Sequence, residues 1–187
     1  MKESAVRTRI LDVASRLFYQ QGYNLTGINQ IIEEAEIARG SLYNHFDSKT
    51  DLLIAYLNEA EEVWFREMED FVAPISGPRE KLLALFDYRI ARQVKLSYGG
   101  CQFLKICSEV SREDHQIFEI VGNQKSRFKA YISDLVKDLH DREASTLDPD
   151  LLSNTLFLLI EGASAVGGVY KNSECMENAK EAAKKLI

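Results

Sequence analysis

Polar side chains able to bind nucleic acid are concentrated in one short segment of this sequence, residues 26–49. They comprise hydroxyls, a guanidinium, an amide, an imidazole and an ammonium, carried by Thr26, Arg39, Ser41, Tyr43, Asn44, His45 and Lys49. Hydroxyl and ammonium groups bind phosphates, whereas the paired donors and acceptors of Arg and Asn suit the edges of guanine and adenine. A surface presenting these groups together would fit double-stranded DNA.

A second candidate for chemistry is Cys101, which follows Gly99 and Gly100 where a new helix is expected to begin. The positive end of a helix dipole, and the ammonium of Lys105 one turn later, would both favour a reactive thiolate. Cys101 and Lys105 are therefore predicted to sense electrophiles or oxidants. The alternative is that Cys101 is a small hydrophobic residue of the core.

Catalytic chemistry has little support in the sequence. The three histidines, His45, His115 and His140, are scattered, and no HExxH, CxxC or GxSxG spacing occurs. We therefore expect no enzymatic activity, no metal site and no cofactor. The three cysteines are too few, and odd in number, for a disulfide framework, which fits a reducing compartment.

The elements that must position these groups are helices, because apolar residues recur with helical period along most of the 187-residue chain. Helix starts are marked by residues that cap helices or occupy a first turn: Ser48, Pro78, Ser111, Asp148 and Pro149. A polar loop is predicted at residues 141–146. The sequence predicts an all-α fold of about nine helices, with no strand.

Two of the predicted helices are short and are joined by a tight turn, in the stretch TGINQIIEEAEIARGSLYNHF. Thr26 is predicted to cap the first of them, and the second is predicted to run from Arg39 to Phe46. Leu42 and Phe46 would form its inner face and leave the polar groups outside. This pattern is typical of a helix-turn-helix, whose second helix lies in the major groove of DNA.

Residues 5–57 resemble the N-terminal domain of the tetracycline-repressor (TetR) family of transcriptional regulators. The resemblance rests on residues at the family's spacing: Ala14, Phe18, Gly22, Thr26, Ile31, Ala35, Gly40, Leu42, Tyr43, Phe46, Lys49 and Leu52. One departure is Glu36, where the family commonly has glycine in the turn. A non-glycine residue with positive φ costs on the order of 1 kcal/mol, which the turn can accommodate.

The resemblance implies roles for the polar segment. Thr26, Tyr43 and Lys49 would bind phosphates, and Gly40 belongs to the same recognition helix. Base edges would be recognised by the outward groups of that helix: Arg39, Ser41, Asn44 and His45. The alternative is that Tyr43 is a core aromatic residue and Arg39 a solvated charge.

The resemblance also implies two domains and a homodimer on a palindromic operator. Residues 1–48 would form the DNA-binding domain, and residues 49–187 the ligand-binding and dimerisation domain. The last two long helices, from Pro149 and from Ser173, would form the dimer interface. The small residues of the GASAVGG run from Gly162 would permit close approach there, unless they pack only within one subunit.

A small-molecule inducer is expected to bind the C-terminal domain. Its predicted site combines aromatic residues, a thiol and two charged groups that would orient the ligand: Tyr56, Trp64, Phe86, Arg89, Cys101, Phe118, Phe128 and Glu161. Such residues can equally be ordinary core. The GC-x-x-x-K-x-x-x-E-V form around Cys101 resembles a subgroup of these regulators that includes electrophile sensors.

Charge and hydropathy set further expectations. The net charge is −6, but residues 1–50 are balanced, with six basic and six acidic residues, so DNA binding has no support from a basic stripe. No signal-peptide core and no 18-residue apolar stretch is apparent, so a cytoplasmic protein without membrane contact is expected.

The predicted function is a DNA-binding repressor released by a small molecule or electrophile. The alternative is a helical scaffold or adaptor without DNA-binding activity.

Overall fold

The computed structural model describes residues 4–142 and 147–187, and within these ranges the chain forms nine α-helices, joined by turns and loops, and no strand. In chain order the helices are α1 (Ala5–Gln20), α2 (Ile28–Glu34), α3 (Arg39–Tyr43), α4 (Lys49–Val72), α5 (Pro78–Lys95), α6 (Gln102–Glu109), α7 (His115–Arg142), α8 (Pro149–Tyr170) and α9 (Glu174–Leu186). The predicted all-α fold is confirmed.

Several helices begin where local capping chemistry predicts. Before α4, the Asp51 backbone N–H donates to the Ser48 hydroxyl at 3.0 Å, and that hydroxyl donates to the Asp51 carboxylate at 2.8 Å. Before α8, the Asp148 carboxylate accepts from the Leu151 N–H at 2.9 Å, and Pro149 occupies the first turn. These bonds satisfy N–H groups that have no partner inside the helix.

Three local predictions are corrected. The residue that caps α2 is Gly27, because the Thr26 hydroxyl is turned inward and donates to the Gly22 carbonyl. Helix α3 ends at Tyr43 and does not continue to Phe46. Of the predicted loop 141–146, Asp141 and Arg142 belong to α7, and residues 143–146 lie outside the described residues.

Packing divides the chain into two units. The first comprises the chain up to Val63 together with Gln102–Val121. In it α1, α2 and α3 pack against one another. The buried apolar residues of this unit include Ile10, Leu11, Ala14, Leu17, Phe18, Ile31, Leu42, Phe46, Leu52, Leu53, Tyr56 and Leu57. Their burial fixes which sides of α2 and α3 remain exposed.

The second unit comprises Trp64–Cys101 and Gly122–Ile187. Helices α5, α8 and α9 pack together within it, and the Lys180 ammonium binds the Asp87 carboxylate at 2.6 Å between α9 and α5. Its largest buried side chains include Trp64, Phe65, Phe86 and Phe128.

This packing boundary differs from the predicted functional boundary after residue 48. The first part of α4 and the residues from Gln102 to Val121 are grouped by packing with the N-terminal helices. The division into a DNA-binding and a ligand-binding domain concerns function, and it stays a prediction.

The length and composition of helix α8 contradict the expectation that no segment of the chain could span a membrane. With 22 residues, it is long and apolar enough to do so by length and composition alone. One side of the helix is buried inside the second unit through Leu152, Leu156, Ile160 and Ser164. An apolar helix of this length can therefore also serve as a core helix, packed against other helices of its unit.

Candidate DNA interface and buried polar cluster

The turn between α2 and α3 depends on a residue in the left-handed region of φ. Glu36 has φ of 53°, and beside it the Ile37 N–H donates to the Ile32 carbonyl at 3.2 Å. Leu42, which is fully buried, anchors α3 to the core of the first unit. The positive φ predicted at Glu36 is confirmed, and the two helices have the geometry of a helix-turn-helix.

The outer side of α3, together with the two residues that follow this helix, presents most of the predicted DNA-binding residues. Arg39, Gly40, Tyr43 and Asn44 are exposed, and Ser41 and His45 are half-buried. Tyr43 is 42% exposed, which contradicts the alternative that it belongs to the core.

Contacts on this outer side orient the Arg39 guanidinium. It donates to the Asn29 side-chain oxygen at 3.4 Å and lies 5.9 Å from the centre of the Tyr43 ring. Asn29, on the exposed side of α2, was not selected from the sequence, although its position beside the inward-facing Ile28 and Ile31 was a usable signal.

Lys49 begins α4 and is bound to the loop between α1 and α2. Its ammonium donates to the Tyr23 carbonyl at 2.6 Å and lies 4.1 Å from the centre of the Tyr23 ring. Partial burial lowers the pKa of Lys49, and the carboxylate of Glu109 opposes this shift. Since an ammonium carries three N–H groups, the bond to Tyr23 still permits a phosphate contact.

The prediction that Thr26 binds phosphate is not supported by its position. Its side chain is fully buried. The hydroxyl donates to the Gly22 carbonyl at 2.6 Å and accepts from the Gln21 amide at 3.2 Å. Both bonding directions are used inside the protein, so Thr26 stabilises the loop before α2.

A buried polar cluster lies within the second unit, in the region for which the sequence predicts several ligand-binding residues. The Lys125 ammonium binds the Glu161 carboxylate at 2.6 Å, and Arg89 lies 3.9 Å from the other oxygen of that carboxylate. Arg89 also donates to the Ser164 hydroxyl at 3.0 Å. The cluster, defined as Arg89, Lys125, Glu161 and Ser164, contains two cations and one carboxylate.

Aromatic residues adjoin this cluster. The Arg89 guanidinium lies 5.8 Å from the centre of the Trp64 ring, and Trp64 makes an edge contact with Phe128 at 4.9 Å between centroids. Phe128 in turn contacts Phe157 at 6.1 Å. The structure thus brings together the predicted residues Trp64, Arg89, Phe128 and Glu161.

Other predicted ligand-binding residues lie elsewhere. Phe86 is buried in the second unit. Tyr56 belongs to the first unit, where its ring packs edge-on against Phe18 at 5.7 Å. Phe118 also belongs to the first unit and is 37% exposed. A site formed within the second unit therefore does not include Tyr56 or Phe118.

The ammonium that contacts Cys101 is Lys125, not Lys105 as the sequence suggested. Lys125 donates to the Cys101 sulfur at 3.3 Å. Lys105 donates instead to the Tyr19 carbonyl at 2.7 Å and lies 5.1 Å from the Tyr19 ring centre. Cys101 is buried and immediately precedes α6.

Helix α8 has two different surfaces. Along the inward surface, a Cβ atom added to Gly168 would lie 2.9 Å from the Gly100 Cα, so part of the GASAVGG run permits packing within the subunit. Along the outward surface, apolar or small residues are exposed at Leu151, Leu158, Gly162, Ala165 and Val169. Their spacing forms a stripe along the helix.

Comparison with known proteins agrees with this architecture. Residues 10–56 match the model of the family described as bacterial regulatory proteins, tetR family. The HTH-type transcriptional regulator LmrA of Bacillus subtilis is 42% identical over 79 residues, which are 42% of this chain and 42% of that protein. The match therefore spans less than half of the relative's length.

Solved structures resemble the chain over nearly its whole length. A TetR-family transcriptional regulator from Streptomyces coelicolor superposes with a TM-score of 0.87 at 24% identity, covering 98% of this chain and 88% of that one. The reduced form of E. coli NemR gives a TM-score of 0.82 at 22% identity, covering 97% of each chain. Residues 10–56 of this chain therefore match the tetR family of bacterial regulatory proteins, and the chain as a whole has the fold of these solved regulators.

Proposed function

We propose that this protein is a transcriptional repressor that binds operator DNA as a homodimer and is released by a small molecule or an electrophile. The observation that carries the proposal is the surface formed by α3 and the residue after it, where Arg39, Tyr43 and Asn44 are exposed around the buried anchor Leu42. The family match of residues 10–56 supports the same function.

In this proposal, the DNA-binding residues divide into two groups. Tyr43 and Lys49 bind phosphates and set the position of the domain on DNA. Arg39, Ser41, Asn44 and His45 recognise base edges, and the absence of a side chain at Gly40 permits close approach to the groove.

Selection from a random DNA pool, followed by gel retardation on the DNA upstream of the protein's own gene, tests DNA recognition. We expect a palindromic site with half-sites one helical turn, or a multiple of it, apart. A protein that binds every sequence equally would contradict operator recognition, and a protein that binds no DNA would favour the helical scaffold alternative.

The homodimer is proposed to form through the exposed stripe on α8. Leu158 is 66% and Val169 is 75% exposed, and rows of exposed apolar residues commonly mark protein interfaces. A second copy is the expected occupant, because helix-turn-helix proteins recognise paired half-sites through a symmetric dimer.

The inducer is proposed to bind beside the buried polar cluster, with its apolar part against Trp64 and Phe128. The Glu161 oxygen that lies 3.9 Å from Arg89 is buried and accepts no hydrogen bond from the described residues. Because a buried acceptor without a donor is costly, a ligand N–H or O–H group at this oxygen would be stabilised.

Fluorescence of Trp64, the one tryptophan of the chain, reports on this site. We expect aromatic compounds carrying an amino or hydroxyl group to change its emission, and Glu161→Gln, but not the exposed control Glu119→Gln, to weaken their binding. If the ligand binds the DNA-free protein a hundredfold more tightly than the DNA-bound protein, the coupling free energy between the two sites is about 2.7 kcal/mol. A ligand whose affinity is unchanged by operator DNA cannot be the inducer, since coupling between two sites is reciprocal.

Cys101 is proposed as a thiol that responds to electrophiles or oxidants. The hydrogen bond from the Lys125 ammonium supports this role, because a nearby cation favours the nucleophilic thiolate.

The protein is proposed to act in the cytoplasm, where its DNA is located, and to have no catalytic function. Curated relatives such as LmrA are described as transcriptional regulators and not as enzymes. Fractionation of cells producing the protein would test the location, and recovery in the membrane fraction after a salt wash would contradict it.

A further inference from the structure

The loop between α1 and α2 is held by the last residue of α6. The Asn24 backbone N–H donates to the Glu109 carboxylate at 2.9 Å, and the Asn24 side-chain amide donates to the Glu109 carbonyl at 2.7 Å. The pair thus forms two hydrogen bonds between segments 85 residues apart. One of them involves a charged acceptor, which makes it stronger than a neutral bond.

Gly22 makes room for this contact. Its φ is 96°, and a Cβ atom placed there would lie 2.8 Å from one oxygen of the Glu109 carboxylate and 2.9 Å from the other. The carboxylate therefore lies directly against the glycine backbone. One turn earlier on α6, Lys105 binds the carbonyl of Tyr19 in the last turn of α1, so two residues of the same helix hold the end of α1 and the loop that follows it.

The same loop holds Lys49. Tyr23 lies between Gly22 and Asn24. Its carbonyl accepts a hydrogen bond from the Lys49 ammonium, which also lies over its ring. The Tyr23 hydroxyl also lies 3.4 Å from the Thr50 hydroxyl in the next residue of α4. Any shift of this loop would move the group that orients Lys49.

We propose that Glu109 is a positioning residue for DNA binding: it holds the Gly22–Asn24 loop so that Tyr23 places the Lys49 ammonium for its phosphate contact. This inference rests on the proposed function, because it assumes that Lys49 binds operator phosphate. Operator affinity would then also depend on a residue of α6, a helix outside the helix-turn-helix.

A double-mutant cycle between Glu109 and Lys49 tests the proposal. Glu109→Ala should weaken operator binding about tenfold, the equivalent of one hydrogen bond to a charged group. In a Lys49→Ala background the same substitution should cost less than about twofold, because the residue through which it acts is gone. The dependence of binding on salt should flatten equally in Glu109→Ala, Lys49→Ala and the double variant.

Matched variants separate positioning from general effects. Glu109→Gln retains a side-chain oxygen for the Asn24 N–H and should keep most of the affinity, whereas Asn24→Ala should reproduce part of the loss. Glu113→Ala, which removes an exposed carboxylate four residues later, controls for the change in net charge. Thermal unfolding of each variant verifies that the protein remains folded.

The possible failures are distinguishable. Equal losses from Glu109→Ala with and without Lys49, or no loss at all, would overturn the positioning role while leaving operator binding intact. If the wild-type protein itself prefers no palindrome, the proposed function fails before this test is reached.

Discussion

The Lys125 ammonium donates a hydrogen bond to the sulfur of Cys101 across 3.3 Å. We predict that Lys125→Met slows alkylation of Cys101 by iodoacetamide severalfold, since loss of the cation removes a group that stabilises the thiolate. Because the Lys105 ammonium binds Tyr19 instead, Lys105→Met should leave the alkylation rate of Cys101 unchanged. Rates are measured by mass spectrometry of the modified peptide, with denaturant unfolding as the check on folding. If Cys101 reacts no faster than Cys175 in the wild type, the thiol is structural.

Lys49 and Asn44 should affect DNA binding in different ways. Lys49→Ala is expected to weaken binding to all sequences and to reduce the salt dependence by about one phosphate per subunit. Asn44→Ala should instead relax base preference at one position of each half-site, because an amide can distinguish adenine through two hydrogen bonds. Titrations of the selected operator and single-base variants at several salt concentrations separate these effects. A uniform loss with Asn44→Ala would contradict its role in base recognition.

The exposed stripe of α8 predicts the effect of a charge on dimer formation. Leu158→Glu should convert the dimer into a monomer at micromolar concentration, because burying an unpaired carboxylate in an apolar interface is unfavourable. Val94→Glu on α5, at a side chain that is also exposed, is the matched control and should stay dimeric. Sedimentation velocity measures both variants. A dimeric Leu158→Glu protein would place the interface elsewhere.

The left-handed backbone at Glu36 predicts a stabilising substitution. Since φ is 53° there, Glu36→Gly should raise the free energy of unfolding by about 0.5–1 kcal/mol. The opposite result is expected for Glu33→Gly, which places glycine inside α2 and should cost about 1 kcal/mol. Urea denaturation followed by circular dichroism measures both changes. Destabilisation by Glu36→Gly would show that this turn carries no strain.

Tyr88 predicts a change in stability at alkaline pH. Burial raises the pKa of Tyr88 from 10.0 to about 12, and its hydroxyl donates to the Trp64 carbonyl at 3.0 Å. The unfolded chain therefore loses this proton at lower pH than the folded protein does. Its contribution to stability is complete below about pH 10 and is lost as the pH rises from about 10 to about 12.

Tyr88→Phe should be less stable than the wild type at about pH 8, by about 1 kcal/mol for the lost hydrogen bond. The difference should shrink as the pH approaches about 12, because the wild type alone loses the stability contributed by Tyr88. Guanidinium unfolding at a series of pH values measures this. Parallel pH profiles of the two proteins would contradict the shifted pKa.

Local chemistry determined much of this protein from sequence alone. Ser48 with Asp51, and Asp148 with Leu151, are three residues apart, so the hydrogen bonds that begin α4 and α8 are inherent in adjacent residues. The helix-turn-helix was equally accessible, because helical period identifies Leu42 as buried and Asn44 as exposed.

The tertiary structure alone decided which groups from distant segments meet. Helical period predicts which side of a helix is buried, but not which helix packs against it. Lys125 is 24 residues from Cys101, and Glu109 is 85 from Asn24, so no local pattern could pair them. Proximity in sequence favoured Lys105 as the partner of Cys101, whereas packing directs its ammonium to the Tyr19 carbonyl, because a partly buried cation requires a hydrogen-bond acceptor within reach.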